Sequence, residues 1–402
     1  MHENPELDLF LDLYSKKDLR VARGSGVRVY TEDGKEYLDM TGSYGVAILG
    51  YAHPQVAKAV AEQAMILQSN HFSTYTPARE VLAERLSRIR PIPESKAVLL
   101  NTGTEAVEFA LKAIRRYTGR HKILAFTNSF HGRTLGALSA TWNPKYRTGF
   151  DPLFPVTFVQ YGNIERVKQA LSDREIGGVL YEPVQGEGGV NPAPVGFGKA
   201  LREVTQDASV VLVSDEIQTG LGRTGEMWAS LSEFQPDVLV AAKGLANGLP
   251  ASVCFLSREI GTKFSPGDHG STYAGGPIVS AAAAATLGVL LDTDILSNLR
   301  QRSSELETVL ASLARQFAEF IRGVRLKGLM IGVEFRRPVS EVIKGALSNR
   351  LVLLTAGINV VRMLPPYVLT HSDIAEFEER FRTTLEELSQ DGRKDAATEP
   401  HQ

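Results

Sequence analysis

Residues 210–250 read VVLVSDEIQTGLGRTGEMWASLSEFQPDVLVAAKGLANGLP, and how this stretch is read decides the fold. It opens with Val210–Val213, a short apolar run typical of a strand buried on both faces of a parallel sheet. The run leads to two acids, Asp215 and Glu216, then Gln218 and a glycine-rich loop. A second apolar run, Val238–Ala242, ends on Lys243 and is again followed by glycines. In a parallel α/β sheet the C-terminal ends of the strands face the ligand crevice. A carboxylate and a lysine at two such ends can therefore enter one pocket.

Each residue alone has an ordinary explanation. A lysine after a strand is usually a solvated strand end, and an aspartate there more often caps a helix. Together they suit pyridoxal phosphate (PLP), whose chemistry uses a lysine Schiff base and an acid at the pyridine nitrogen. DEIQTGLGRTG followed by AAKGLANGLP resembles the class III aminotransferases, the ornithine and acetylornithine type, of PLP fold type I. The resemblance runs from about Val21 to Leu388. It implies an α/β chain with a large domain built on a mostly parallel sheet and a smaller α+β domain. The expected division is an N-terminal segment (1–45), a large PLP-binding domain (46–291), a small domain (292–390) and a flexible tail (391–402).

Composition sets outer limits. A chain of 402 residues with 43% hydrophobic side chains can bury a sizeable core. A formal net charge of −2 gives no bulk argument for nucleic acid or membrane binding. The N-terminus MHENPELDLF carries acids where a secretory signal would carry bases, and the apolar stretch Ala281–Leu291 is too short to span a bilayer. The single cysteine, Cys254, leaves no internal disulfide and no cysteine-based metal site, and reads as a small buried hydrophobe. A cytoplasmic protein is expected, with no metal ligands.

Outward from the central stretch, other segments take their places. Val27–Tyr30 and Tyr37–Met40 flank an Asp33-Gly34 turn, a hairpin signal. A small-residue loop, Thr41–Val46, can approach a ligand closely; within it Tyr44 is either a substrate contact or a packed aromatic. Pro54–Leu67 reads as a helix. Thr102 and Glu105 have capping-box spacing ahead of a helix that buries Val107, Ala110, Ile114 and Tyr117. Gly103 between two threonines at this N-terminus offers backbone N–H groups, hydroxyls and the positive dipole end to a phosphate, although many helices begin this way. Lys122–Thr127 and Gly177–Tyr181 read as further buried strands. From about Asp292 the texture changes to charged amphipathic helices and alternating strands, among them Val324–Phe335.

The resemblance assigns roles to residues that would otherwise be ordinary. It implies Lys243 and Asp215 as the catalytic pair, and Gly103 and Thr104 at the cofactor phosphate. It implies Phe130 stacked on the pyridine ring, where packing alone would suggest core, Ile217 on the opposite face, and Gln218 at the ring hydroxyl. Arg133 would grip the substrate α-carboxylate, where sequence alone suggests a surface ion pair. His131 reads as structural. In the loop EPVQGEGG, Glu187 would pair with Arg362 and swing away when an α-amino acid needs that arginine; Glu182 would orient groups around the cofactor. Thr272 would cross a homodimer interface to the partner's cofactor phosphate.

Glutamate and 2-oxoglutarate are the implied second substrate pair. Thr41–Tyr51, Thr74–Glu80 and Thr141–Leu153 look most similar to the branch acting on aminoadipate or glutamate semialdehyde attached to an amino-group carrier protein. Tyr44 and Tyr51 depart from the residues more usual there. Such a carrier is small and acidic, so Lys145 and Arg147 are candidate docking residues. Free N-acetylornithine is the alternative substrate, or the chain is a related ornithine or omega-amino acid transaminase. A glutamate 1-semialdehyde aminomutase is disfavoured by Arg133 and the Glu187/Arg362 pair. A non-catalytic scaffold is disfavoured by the retained Lys243 and Asp215, and a nucleotide-binding protein by the lack of a glycine fingerprint.

Overall fold

The computed structural model describes residues 9–150 and 153–398. Its centre is a seven-stranded sheet in the order Lys96–Leu100, Ser252–Leu256, Val238–Ala241, Val211–Asp215, Ile176–Tyr181, Lys122–Phe126 and Val156–Val159. Ser252–Leu256 pairs antiparallel with both its neighbours, whereas every other pairing is parallel. All strands but that one therefore end on the same edge, and this common edge carries the site.

Both faces of the sheet are covered, which is why apolar residues in its strands run consecutively rather than at alternate positions. In Val211–Asp215, Val211 and Val213 join the apolar cluster under the helix Gly103–Thr118, while Leu212 joins the cluster on the other face with Phe197 and Leu201. In Val238–Ala241 the same alternation sends Val238 and Val240 to one face and Leu239 and Ala241 to the other. Cys254 is buried in the first of these faces, as a small hydrophobe would be. The helix Gly103–Thr118 starts in a complete capping box between Thr102 and Glu105 and ends on left-handed Gly119.

A second sheet, in the order Ile321–Lys327, Met330–Phe335, Val360–Met363 and Leu354–Ala356, packs with the helices Ile295–Gln316, Ser340–Ser348 and His371–Thr398. The alternating stretch Val324–Phe335 is thus not one strand but most of a hairpin, folded at Gly328 (φ 59°). The apolar positions change phase across the turn, from Val324 and Leu326 before Gly328 to Leu329, Ile331, Val333 and Phe335 after it, and that phase change is its mark in the sequence. The terminal helix continues through Thr398 into the stretch expected as a flexible tail; residues 399–402 lie outside the described residues.

The expected N-terminal hairpin forms from Arg28–Thr31 and Glu36–Asp39, but its sheet is not self-contained. Val21–Ser25 adds on one side, and Leu351–Val352 joins Glu36–Asp39 in parallel on the other. Arg28 reinforces the junction by pairing with Asp373 and Glu376. One apolar cluster also runs without a break from Leu38 and Ile48 through Leu239 and Leu287 to Phe377 and Phe381, so the expected large and small domains share a core. Among the described residues no single helix is long and apolar enough to cross a membrane.

Candidate active site

A cavity of about 440 Å³ opens at the common edge of the large sheet. Asp215, Glu182 and Lys243 enter it from the ends of adjacent strands, and Thr102–Thr104 from the loop after Lys96–Leu100. The loop after Lys122–Phe126 contributes Phe130, His131 and Arg133. Strand order therefore gathers residues that the sequence scatters over more than a hundred positions.

Asp215 is buried and held from two sides. Its Oδ1 accepts the Ile217 N–H at 3.1 Å and its Oδ2 lies 2.7 Å from His131 Nδ1. Burial alone lowers the basicity of His131, but the hydrogen bond and charge of Asp215, together with Glu182, outweigh it and raise the imidazole pKa. His131 thus holds the key acid in place. The sequence offered one signal, its position between Phe130 and Arg133, and no hint that its partner lies 84 residues away.

Glu182 is buried beside this pair. Burial pushes its carboxyl up to about 8 despite nearby His131, and the neighbouring Asp215 pushes the same way; the Phe130 N–H, donating to Oε2 at 3.2 Å, opposes the shift. Tyr161 donates its hydroxyl to the Glu182 carbonyl at 2.7 Å and fixes the backbone there. Lys243 is partly buried, with a left-handed backbone (φ 37°). Burial brings its amine down to about 8, against Glu187, Asp215 and Glu182, which favour the charged form, and with Arg362, which opposes it.

On the far wall, Arg362 is fully buried and donates from Nη1 to Glu187 Oε1 at 2.7 Å. Among the described residues its Nε and Nη2 have no partner, an expensive state for a guanidinium. Burial raises the Glu187 carboxyl, yet Arg362, then Lys243 and Arg133, hold it below its ordinary value. Arg133 lies at the mouth, its guanidinium carbon 5.7 Å from the Phe130 ring centre and 4.9 Å from that of Tyr146.

The cavity has the features of a PLP cradle. Its wall beside Ile217 is closely packed, since a Cβ on Gly103 would lie 2.9 Å from Ile217 Cδ1. A Cβ on Gly132 would lie 2.3 Å from Thr104 Oγ1, so backbone and hydroxyl meet directly at the helix N-terminus. That end presents N–H groups to an anion, an amine of lowered basicity sits on the floor, and a buried carboxylate is clamped nearby. These residues fit the group.

Gly103, Thr104, Phe130, Arg133, Glu187, Asp215, Ile217, Gln218 and Lys243 all line the cavity, and Arg362 reaches it through Glu187 and, at 3.5 Å, through Gln218. Two expected residues are not brought in. Tyr44 is 56% exposed on a left-handed turn (φ 61°) and is not in the lining. Thr272 is exposed outside the cavity, on a loop tied to its rim by Asn101 donating to Ser271 Oγ. Of the two docking candidates, Lys145 is exposed, whereas the Arg147 guanidinium lies over the Phe158 ring at 5.0 Å.

The sequence model of the family described as Aminotransferase class-III matches residues 13–385. The chain is 42% identical, over 91% of its length and 95% of the relative's, to the LysW-aminoadipate semialdehyde/glutamate semialdehyde transaminase of Sulfurisphaera tokodaii. It is 36% identical, over 93% of both chains, to the mitochondrial acetylornithine aminotransferase of Saccharomyces cerevisiae. The solved ornithine aminotransferase of Toxoplasma gondii superposes with a TM-score of 0.92 at 26% identity, covering 96% of this chain and 94% of that one.

Proposed function

The chain belongs to the class III aminotransferases, which are PLP-dependent, and from that premise we propose that it moves a terminal amino group between glutamate/2-oxoglutarate and a carrier-held semialdehyde. The semialdehyde is that of aminoadipate or glutamate, attached to a small acidic amino-group carrier protein, in lysine or arginine biosynthesis. The similarity to the S. tokodaii transaminase carries the carrier-linked part of this reading. The similarity to acetylornithine aminotransferases, nearly as extensive, favours free N-acetylornithine as the second reading.

PLP, when bound, supplies an electrophilic carbon for the amine and a ring that takes up the electron pair left when the substrate carbon loses its proton. Gly103 and Thr104 would hold its phosphate at the helix N-terminus, with Phe130 and Ile217 on the two ring faces and Gln218 at the ring hydroxyl. Asp215, aimed by His131 and the Ile217 N–H, favours a protonated ring nitrogen. Lys243 Nζ, with a pKa of about 8, is unprotonated in a useful fraction near neutral pH. It would hold the cofactor through its amine, and that amine would carry the proton taken from the substrate carbon. Arg133 anchors the α-carboxylate at the mouth. Arg362 takes the second carboxylate of glutamate, and Glu187 covers Arg362 when the other substrate brings none.

The proposed assembly is a homodimer in which Thr272 reaches the partner's phosphate site, and the proposed location is the cytoplasm, for which the single buried cysteine leaves no disulfide to argue otherwise. The deciding test is a single-turnover comparison of amino donors on PLP-loaded protein, followed by loss of the cofactor's visible absorbance. Carrier-linked lysine or ornithine should react at least roughly tenfold faster than free N-acetylornithine. Efficient reaction with free N-acetylornithine overturns the carrier-linked reading. No reaction with any donor, glutamate included, removes the transaminase reading itself.

A further inference from the structure

The loop that carries Glu187 is held at two points by one sheet. Register places Arg325, Gly332 and Arg362 in a single row across three antiparallel strands, Arg325 opposite Gly332 and Gly332 opposite Arg362. Residues in such a row present their side chains on the same face. Arg362 meets the loop at Glu187, and Arg325 meets it just beyond, at Gly189 and Val190.

The two attachments differ in kind. At the front, Arg362 makes one bond to the loop, to the flexible Glu187 side chain, and its Nε and Nη2 have no partner among the described residues. An incoming carboxylate that engages two of its N–H groups gives Arg362 more than Glu187 does. At the rear, Arg325 Nε donates to the carbonyls of Gly189 and Val190, both at 3.2 Å, and Nη2 donates to Gly189 at 2.9 Å. Its Nη1 is fixed in turn by Glu334 at 2.5 Å, which also holds Arg322.

The rear attachment also supports a costly backbone. Val190 is a β-branched residue at φ 53°, a conformation that persists only where its surroundings impose it. Gly332 lies directly beneath: a Cβ there would come within 2.9 Å of Val190 Cβ and 3.0 Å of the Gly189 carbonyl. On the other side of Glu187, a Cβ on Gly186 would strike Gln218 Oε1 at 1.9 Å. The loop is therefore gripped on both flanks, and the freedom left is that of Glu187 itself.

We propose that Arg325 is a positioning residue for substrate switching: it anchors the Gly189–Val190 backbone so that Glu187 can leave Arg362 and return to the same place. This rests on the reading of Glu187 as the residue that covers Arg362. Without the anchor, the covering state is held less well while Arg362 itself, on its own strand, stays in place. The half-reaction with the terminal amine donor, which needs Arg362 covered, then suffers. The glutamate half-reaction, which needs it open, does not.

The experiment uses PLP-loaded full-length protein and compares the ratio of kcat/KM for the terminal amine donor to that for glutamate. The donor is whichever one the single-turnover comparison selects. Arg325→Met should shift this ratio toward glutamate by roughly tenfold, and Arg325→Lys, which keeps the charge and a donor, should recover part of it. In a Glu187→Gln background, Arg325→Met should shift the ratio no further, because the residue it positions no longer covers Arg362. Equal losses in both half-reactions, or the same shift in the Glu187→Gln background, would reduce Arg325 to a structural residue and overturn the proposal. If Glu187→Gln alone leaves the ratio unchanged, it is the covering role of Glu187 that fails. If Glu187→Gln shifts the ratio and Arg325→Met does not, the anchor alone fails.

Discussion

The floor and the far wall of the cavity are built by opposite means. On the floor, Asp215, Glu182 and Lys243 stand at the ends of neighbouring strands of the large sheet, and Asp215 is locked by His131 and a backbone N–H. On the far wall, Arg362 is also buried, but its carboxylate partner comes from a loop, bonds it once, and leaves two guanidinium nitrogens unpartnered among the described residues. The first arrangement suits charges that must stay put through every turnover, because sheet edges tolerate little movement. The second suits a charge that must be covered for one substrate and bare for the next.

The most severe test of this contrast is to break the floor. Asp215→Asn keeps the shape but removes the charge, and should lower kcat in both half-reactions by roughly 10²- to 10³-fold, measured by stopped-flow on the loaded enzyme. A smaller cost should follow from His131→Gln. It leaves the Asp215 charge but loosens its aim, lowering kcat by roughly tenfold with KM for either substrate little changed. A loss confined to one substrate would place His131 with the far wall instead.

The gentlest test asks whether the two regions are independent. Glu187 favours the charged form of Lys243, whose pKa is about 8. Below that pH the amine is protonated, so PLP capture by the apoprotein should quicken as pH rises toward about 8 and level off above it. Glu187→Gln removes a charge that stabilises the ammonium, so the midpoint should move to lower pH, read as capture rate against pH by visible absorbance. An unmoved midpoint would mean that the wall does not reach the floor electrostatically.

Legibility followed the same divide. The floor could be read because a strand run and its terminal acid or lysine are contiguous, as in Val211–Asp215 and Val238–Lys243. Periodicity alone therefore places both at the sheet edge. Thr102–Glu105 was readable for the same reason, since a capping box is a four-residue signal. His131 reads as structural in the sequence because its importance lies in a partner 84 residues away. Arg325 carries no signal of its own, being one charge among several in a stretch of alternating residues whose contact with the Gly189–Val190 loop is remote in sequence. Tyr44 sat in a loop of small residues that does approach the site, through Val46, but left-handed backbone at Ser43 and Tyr44 turns the ring away from the lining.

The strand Leu351–Val352, which completes the N-terminal sheet, has a consequence for how the protein is made. The hairpin at residues 28–39 leaves the ribosome well ahead of the strand that covers its edge, which follows only after some three hundred further residues. Pairings so distant in sequence form late and slowly. Until Leu351–Val352 has been made, that earlier edge stays open to other nascent chains. Synthesis slow enough for the intervening domain to fold first, or a chaperone that shields the hairpin, should therefore raise the soluble yield more than any change made at the active site.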